Sequence, residues 1–411
     1  MNRSTRLAVL LAALLSASPV FAAQWVTSWA ASPLPPAPGM GPLPGTPSFD
    51  NQTIRQVLRL SAGGSRLRLK LTNEYGTAPL RIAAATVSLV AEDGKLGPVL
   101  PLSFAGQKAV VIPAGAPLLS DPLQLPVGAR ARLSVSLYLP EPTGPCTCHS
   151  VGVQDAFVSG PGDYTAASFT ADHTVQMRAF VSGVEVQSAR GRTIVVLGDS
   201  ISDGVGSTVN TDHRWPDLLA ARLAARKDGS SWGVANQGIS GNRVLDGGAG
   251  ESALSRFDRD VLGQAGVTHV ILFLGVNDLG ISFGNVTEGP MAQYFRALIP
   301  KEKATAQRII AGYQQLIARA HAHGIKIYGA TIAPYEGASY WSAAGESERA
   351  AINQWIRTGA AFDAVLDFDA VLRDPTLQTR IRESYQAGDH LHGSDAGYAA
   401  LANSVDLALF K

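Results

Sequence analysis

The chain has only two cysteines in 411 residues, so its folding has to rest on buried apolar surface rather than on a framework of disulfides. Charge is scarce and balanced. Charged residues make up 16% of the chain and the formal net charge is +1, which argues against a nucleic-acid role, since that needs a basic stripe. No block of like charges, internal repeat or low-complexity tract stands out. No apolar run is long enough to cross the ~30 Å of a bilayer core.

Apolar residues, by contrast, reach 46%, enough for large cores, and the length suits two domains. Residues 1–22 read as a signal peptide. Arg3 and Arg6 give a positive start, Leu7 to Leu15 a short apolar core, and Val20-Phe21-Ala22 a small-residue cleavage site. A secreted or periplasmic protein, cut after Ala22 and soluble thereafter, is the expectation. No cysteine follows that site, so a lipoprotein anchor is not expected. Export permits a disulfide between Cys146 and Cys148; across one intervening residue a local disulfide and two free thiols both stay open. With His149 they suggest a metal site, but three adjacent residues cannot enclose a zinc ion, and no metal is expected.

Two halves differ in period. Residues 23–48 are rich in proline and glycine and read as a segment hugging the surface. From about 53 to 188 the period is two: Arg66, Arg68 and Lys70 alternate with Leu67, Leu69 and Leu71, and Leu133, Val135, Leu137 and Leu139 with Arg132, Ser134, Ser136 and Tyr138. That alternation predicts half-buried antiparallel strands, and hence a β-sandwich or jelly-roll domain over 23–190. After about 190 the apolar runs stop alternating, as strands buried on both faces do. Strands are expected near 193–198, 232–236, 268–275, 325–331 and 364–368, with helices between them, two of which lie over 306–323 and 345–358. The result is a three-layer α/β/α parallel-sheet domain over 191–411. Residues 279–303 read as a long, weakly periodic insertion, either a wall or lid of a substrate pocket or a mere decoration.

The chemistry-bearing residues fall at the ends of the predicted strands. Ser200, in Gly198-Asp199-Ser200, follows the run Thr193 to Leu197, and an open parallel sheet presents its chemistry at the carboxyl ends of its strands. A serine hydroxyl needs a base, and His392 supplies an imidazole three residues after Asp389, a carboxylate that can orient it. His390 is the competing imidazole. Asn277, in Gly275-Val276-Asn277-Asp278, ends a second apolar run and can donate its amide to an oxyanion. Gly241, in Asn236-Gln237-Gly238-Ile239-Ser240-Gly241, follows a third and can bring its N–H close to a ligand. Asp199 is read as a capping or loop residue, and His213, His269, His321 and His323 as structural.

These four segments, in this order, resemble the SGNH (GDSL-type) hydrolase superfamily over about residues 191–411. Ser200 matches its G-D-S serine, Asn236 to Gly241 its oxyanion-glycine block, Gly275 to Asp278 its G-x-N-D block, and Asp389 to His392 its D-x-x-H block. Gly393 stands where the family often has proline. Arg214 to Leu219, Arg256 to Leu262 and Ala320 to Gly324 look like secreted bacterial esterases of this type that carry an extra N-terminal β-domain.

The resemblance implies a flavodoxin-like fold and a serine esterase. In it Ser200, Asp389 and His392 form a triad, and Ser200 N–H, Gly241 N–H and the Asn277 amide form the oxyanion hole. No cofactor is needed. Short acyl or acetyl esters, including acetylated glycans, are the expected substrates, with lysophospholipids open. An acyltransferase to a sugar hydroxyl and a polysaccharide-binding protein with an idle catalytic domain are the rival functions. Trp25, Trp29 and Tyr75 could stack on sugars, although aromatics in β-domains more often serve the core.

Overall fold

The computed structural model describes residues 23–39, 45–286, 288 and 292–411. The expected signal peptide, residues 1–22, lies outside the described residues.

The first half of the chain is antiparallel. One sheet orders Gln24–Ala30, Val181–Ser188, Gly64–Asn73 and Ala116–Leu119, with Leu123–Val127 also paired to Gly64–Asn73. A second orders His173–Val175, Ala156–Pro161, Gln52–Arg59, Arg132–Leu139, Ala84–Val90 and Leu100–Pro101. The alternating leucines do what their period dictates: Leu67, Leu69 and Leu71 of the first sheet and Leu133, Val135 and Leu137 of the second are fully buried in one shared core.

The segment 23–48 corrects an expectation, because it does not begin as a surface wrapping. Gln24–Ala30 is a strand paired to Val181–Ser188, and Val26 to Ser32 are buried. Its partner lies more than 150 residues further along, out of reach of any local pattern. The strand is also a joint. Thr27 N donates to Ala265 O at 3.0 Å and to Thr193 Oγ1 at 3.1 Å, and Ser61 Oγ accepts from Val234 N at 2.8 Å. The edge strand of the second half is thereby covered rather than left open.

The second half is built on a five-stranded parallel sheet. In chain order the strands are Gly191–Gly198, Ser231–Gly238, Val267–Phe273, Lys326–Ala330 and Ala364–Leu366, and in space they run second, first, third, fourth, fifth. Right-handed crossovers then force the helix linking the first two strands onto one face and the helices linking the later strands onto the other, while Asp395–Ser404, beyond the last strand, is free to return to the first face. The packing agrees: Trp215–Ala224 lies against Asp395–Ser404, while Ala306–Ala322 lies against Ala343–Thr358. Strand order reverses at the first strand, between the second and third, and the crevice outside the carboxyl ends at such a point is where ligands bind.

The stretch 279–303 is not a structureless insertion. Val276–Phe283 is a helix that begins at the Asn277 motif, and Ala292–Leu298 is another. Gly280 on the first helix seats the Tyr340 ring, since a Cβ there would collide with it, and Gly284, just past that helix, lies against the Tyr340 main-chain carbonyl. Cys146 and Cys148 are joined as a disulfide.

Candidate active site

Ser200 opens a one-turn helix, Ser200–Asp203, straight after the Gly191–Gly198 strand. Asp199 caps that helix, its Oδ1 accepting from Ile201 N at 3.0 Å. As the first helical residue, Ser200 has an N–H with no acceptor inside the helix. Burial pushes the Asp199 carboxyl up to about 7; the Ile201 N–H opposes this, and the neighbouring Asp278 and Asp203 add to it.

The partner imidazole comes from the turn before the last helix. Asp389 Oδ1 accepts from Leu391 N at 3.0 Å and His392 N at 2.9 Å, which folds the chain back on itself. Its other oxygen, Oδ2, lies 2.5 Å from His392 Nδ1. A carboxylate only accepts, so Nδ1 carries the proton and Nε2 faces Ser200 Oγ, 2.8 Å away, as an acceptor. Partial burial would raise the Asp389 carboxyl, but the His392 hydrogen bond and the two backbone N–H groups outweigh it and hold it well below the usual range. Gly393, the departure from the family pattern, has a spatial reason: a Cβ there would lie 2.8 Å from Tyr398 Cε1. His390, the competing imidazole, packs its ring against Gly337 instead.

The two strands flanking the Gly191–Gly198 strand deliver the other expected residues. Ile239 N, just past Ser231–Gly238, donates to Gly198 O at 3.2 Å, so the loop carrying Gly241 lies directly against the Ser200 turn. Gly241 has φ +80°, a left-handed conformation that a side chain resists. Beyond Val267–Phe273, Asn277 sits in the first turn of its helix and donates Nδ2 to Asn242 O at 3.1 Å. Ser200, Gly241 and Asn277 thus come from three adjacent strand ends, and His392 from a turn across the crevice.

Several residues that hold this arrangement were given no role in the site from the sequence. Tyr340 donates its hydroxyl to Asn277 Oδ1 at 3.1 Å, fixing which end of the amide is the donor. Asp278 accepts from Val244 N at 2.8 Å and Leu245 N at 3.1 Å, and its burial pushes it up to about 6. Arg256, fully buried, donates to Gly198 O, Gln237 O and Asn242 Oδ1 and pairs with Asp260 at 2.9 Å, tying two strand ends together.

The four histidines read as structural are placed away from this chemistry. His213 pairs with Asp395 and His321 with Asp363, each at 2.9 Å, His269 packs among Trp232, Tyr328 and Phe410, and His323 closes its helix. The three aromatics considered for sugar stacking are engaged as well. Trp29 is buried, Trp25 lies under the Arg68 guanidinium 4.4 Å from its ring centre, and the Tyr75 hydroxyl accepts from Arg259 at 2.6 Å.

An imidazole-paired serine at a topological switch point is an arrangement suited to acyl transfer. Residues 196–400 match the family model described as GDSL-like Lipase/Acylhydrolase family, and this part of the chain is a GDSL-like lipase/acylhydrolase domain. The protein is a carboxylic ester hydrolase. Among solved structures it is similar to a putative lipolytic protein of the G-D-S-L family from Desulfitobacterium hafniense, with 21% identity over 52% of this chain and 96% of that one and a TM-score of 0.37. It is similar also to a lipase/acylhydrolase from Enterococcus faecalis, with 19% identity, 52% and 92% coverage and a TM-score of 0.38. A catalytic mutant of an acetylxylan esterase from Geobacillus stearothermophilus matches at 20% identity, 52% and 91% coverage and a TM-score of 0.38. No curated protein matches the chain. Among the described residues no helix is long and apolar enough to cross a membrane.

Proposed function

We propose that the protein is an exported serine esterase acting on short-chain acyl or acetyl esters, with Ser200 as nucleophile, His392 as general base and acid, and Asp389 as the group orienting His392. The observation that carries this reading is the continuous hydrogen-bonded chain from Asp389 through His392 to Ser200. In the reaction His392 Nε2 takes the Oγ proton as Oγ bonds to the acyl carbon. The carbonyl oxygen becomes an oxyanion held by Ser200 N–H, Gly241 N–H and Asn277 Nδ2. His392 then returns the proton to the departing alkoxide, leaving an acyl-serine and free alcohol. Water, deprotonated by the same imidazole, attacks the acyl-serine and releases the acid and Ser200.

Export rests on the sequence of residues 1–22. We read 23–190 as a jelly-roll-like accessory domain docked closely on 191–411, a reading supported by the hydrogen bonds that Thr27 and Ser61 make across the joint.

The test is hydrolysis of p-nitrophenyl esters from C2 to C16 by the protein and by Ser200→Ala, alongside acetate release from acetylated xylan. A burst on short esters, with kcat reduced by about 10³-fold or more in the variant, is expected. Equal rates for both proteins would refute the role of Ser200, and preference for C16 the short-acyl assignment. Product formed on a sugar hydroxyl in preference to water would make the enzyme an acyltransferase.

A further inference from the structure

His149 belongs to the N-terminal half, follows the Cys146–Cys148 disulfide, and has no part in the chemistry above. It is buried, and both ring nitrogens face acceptors only. Nδ1 lies 3.0 Å from Ser32 O, and Nε2 lies 2.8 Å from Asp203 Oδ1 and 3.1 Å from Val151 O. A neutral imidazole has one N–H and would turn a lone pair toward a carbonyl or carboxylate oxygen, so the arrangement is that of an imidazolium. Burial alone would lower its pKa, but the charge and hydrogen bond of Asp203 and the Ser32 carbonyl raise it, with Arg214 opposing, and the net direction is upward. The metal reading of Cys146, Cys148 and His149 therefore has no donors left: the thiols are joined and the imidazole is spent.

Asp203 passes the contact on. Its second oxygen, Oδ2, accepts from Ser240 N at 3.0 Å and from Ser240 Oγ at 2.9 Å, and Ser240 immediately precedes Gly241. Ser32, the residue whose carbonyl anchors His149, places its own hydroxyl 2.6 Å from Gln237 Oε1 and 2.9 Å from Asp260 Oδ2, beneath the same loop. His149, through Asp203, thus reaches the residue before Gly241, the proposed oxyanion donor, while Ser32 bonds to Gln237 on the strand that leads into that loop.

We propose that His149 is a positioning residue for the esterase reaction: through Asp203 and Ser240 it holds the Gly241 N–H where the oxyanion forms, which makes the N-terminal half a working part of the active site rather than an appendage. The inference rests on the Ser200 reading above. A misplaced donor weakens transition-state binding without weakening substrate binding, so the signature lies in kcat and not in KM.

The experiment compares the full chain with His149→Gln, which keeps a donor but removes the charge, and with Arg59→Gln, which breaks a 2.8 Å ion pair to Asp212 elsewhere in the same joint. Each is measured for Tm, for kcat and KM on p-nitrophenyl acetate, and for affinity toward a boronic acid, whose tetrahedral serine adduct puts an oxygen at the oxyanion site. For His149→Gln we expect kcat and boronic-acid affinity to fall together by about 10- to 100-fold with KM within about two-fold. For Arg59→Gln we expect only Tm to fall. A folded His149→Gln with unchanged kcat and boronic-acid affinity, or parallel kinetic losses in both variants, would overturn the proposal. Should His149→Gln not fold, Ser240→Ala removes one bond to Asp203 without orphaning a buried charge. A kcat loss of about two- to ten-fold at constant KM then supports the proposal, and an unchanged kcat overturns it. Failure of the Ser200 reading is separate, since it would show as a full chain no faster than Ser200→Ala.

Discussion

Tyr340→Phe isolates one hydrogen bond in the candidate oxyanion site. The ring stays, because the space left by Gly280 receives a phenylalanine as readily as a tyrosine. Only the 3.1 Å bond from the hydroxyl to Asn277 Oδ1 is lost. Losing an oxyanion donor outright costs about 2.7–4 kcal/mol of transition-state stabilisation. The amide of Asn277 is not freed altogether, however, because Nδ2 still donates to Asn242 O, and a flipped amide would set two oxygens against each other there. The expected loss is therefore that of one net hydrogen bond, about 0.5–1.5 kcal/mol, or roughly two- to thirteen-fold in kcat at constant KM. Asn277→Ala should lose about 10²- to 10³-fold. The assay is a double-mutant cycle on p-nitrophenyl acetate: in the Asn277→Ala background Tyr340→Phe should have no further effect, because the group it orients is gone. Fully additive losses, or a change confined to KM, would refute the assignment of Tyr340 as the residue that orients Asn277.

Two further outcomes follow from the same geometry. Gly241→Ala should lower kcat at least about ten-fold and destabilise the protein by about 1–2 kcal/mol, because the left-handed backbone strains a side chain and the new methyl meets Ala249; unchanged kinetics would remove Gly241 from the oxyanion site. Asp199→Asn addresses the pH dependence of stability. With its carboxyl pushed by burial from the ordinary 3.8 to about 7, the folded protein binds the extra proton between those values. The stability from that site is complete below about pH 4 and is lost as the pH rises through about 7. At about 1.4 kcal/mol per pH unit the loss is at most about 4 kcal/mol. Asparagine retains the bond from Ile201 N but does not titrate, so urea melts should show the variant gaining on the parent from pH 4 to pH 8; a constant gap would show that Asp199 does not titrate in that range.

The sequence by itself determined the class of fold, the candidate reacting groups and most of the second half's elements. Parallel strands are buried on both faces, so their centres are legible as short non-alternating apolar runs, Ile194 to Leu197, Trp232 to Ala235 and Val270 to Leu274, and the functional residues follow because they must sit where those runs end. Asp389 and His392 are legible as a pair because a three-residue turn brings them together locally. Tertiary structure alone decided what steadies these groups. Gln24–Ala30 is a strand only because Val181–Ser188 lies beside it. Tyr340 reaches Asn277 across 63 residues of chain, and His149 reaches Asp203 across 54. Each of those side chains is ordinary in its local sequence. Its direction and its partner are set by which elements the two cores press together, and a contact made by packing distant segments leaves no period or spacing in the chain.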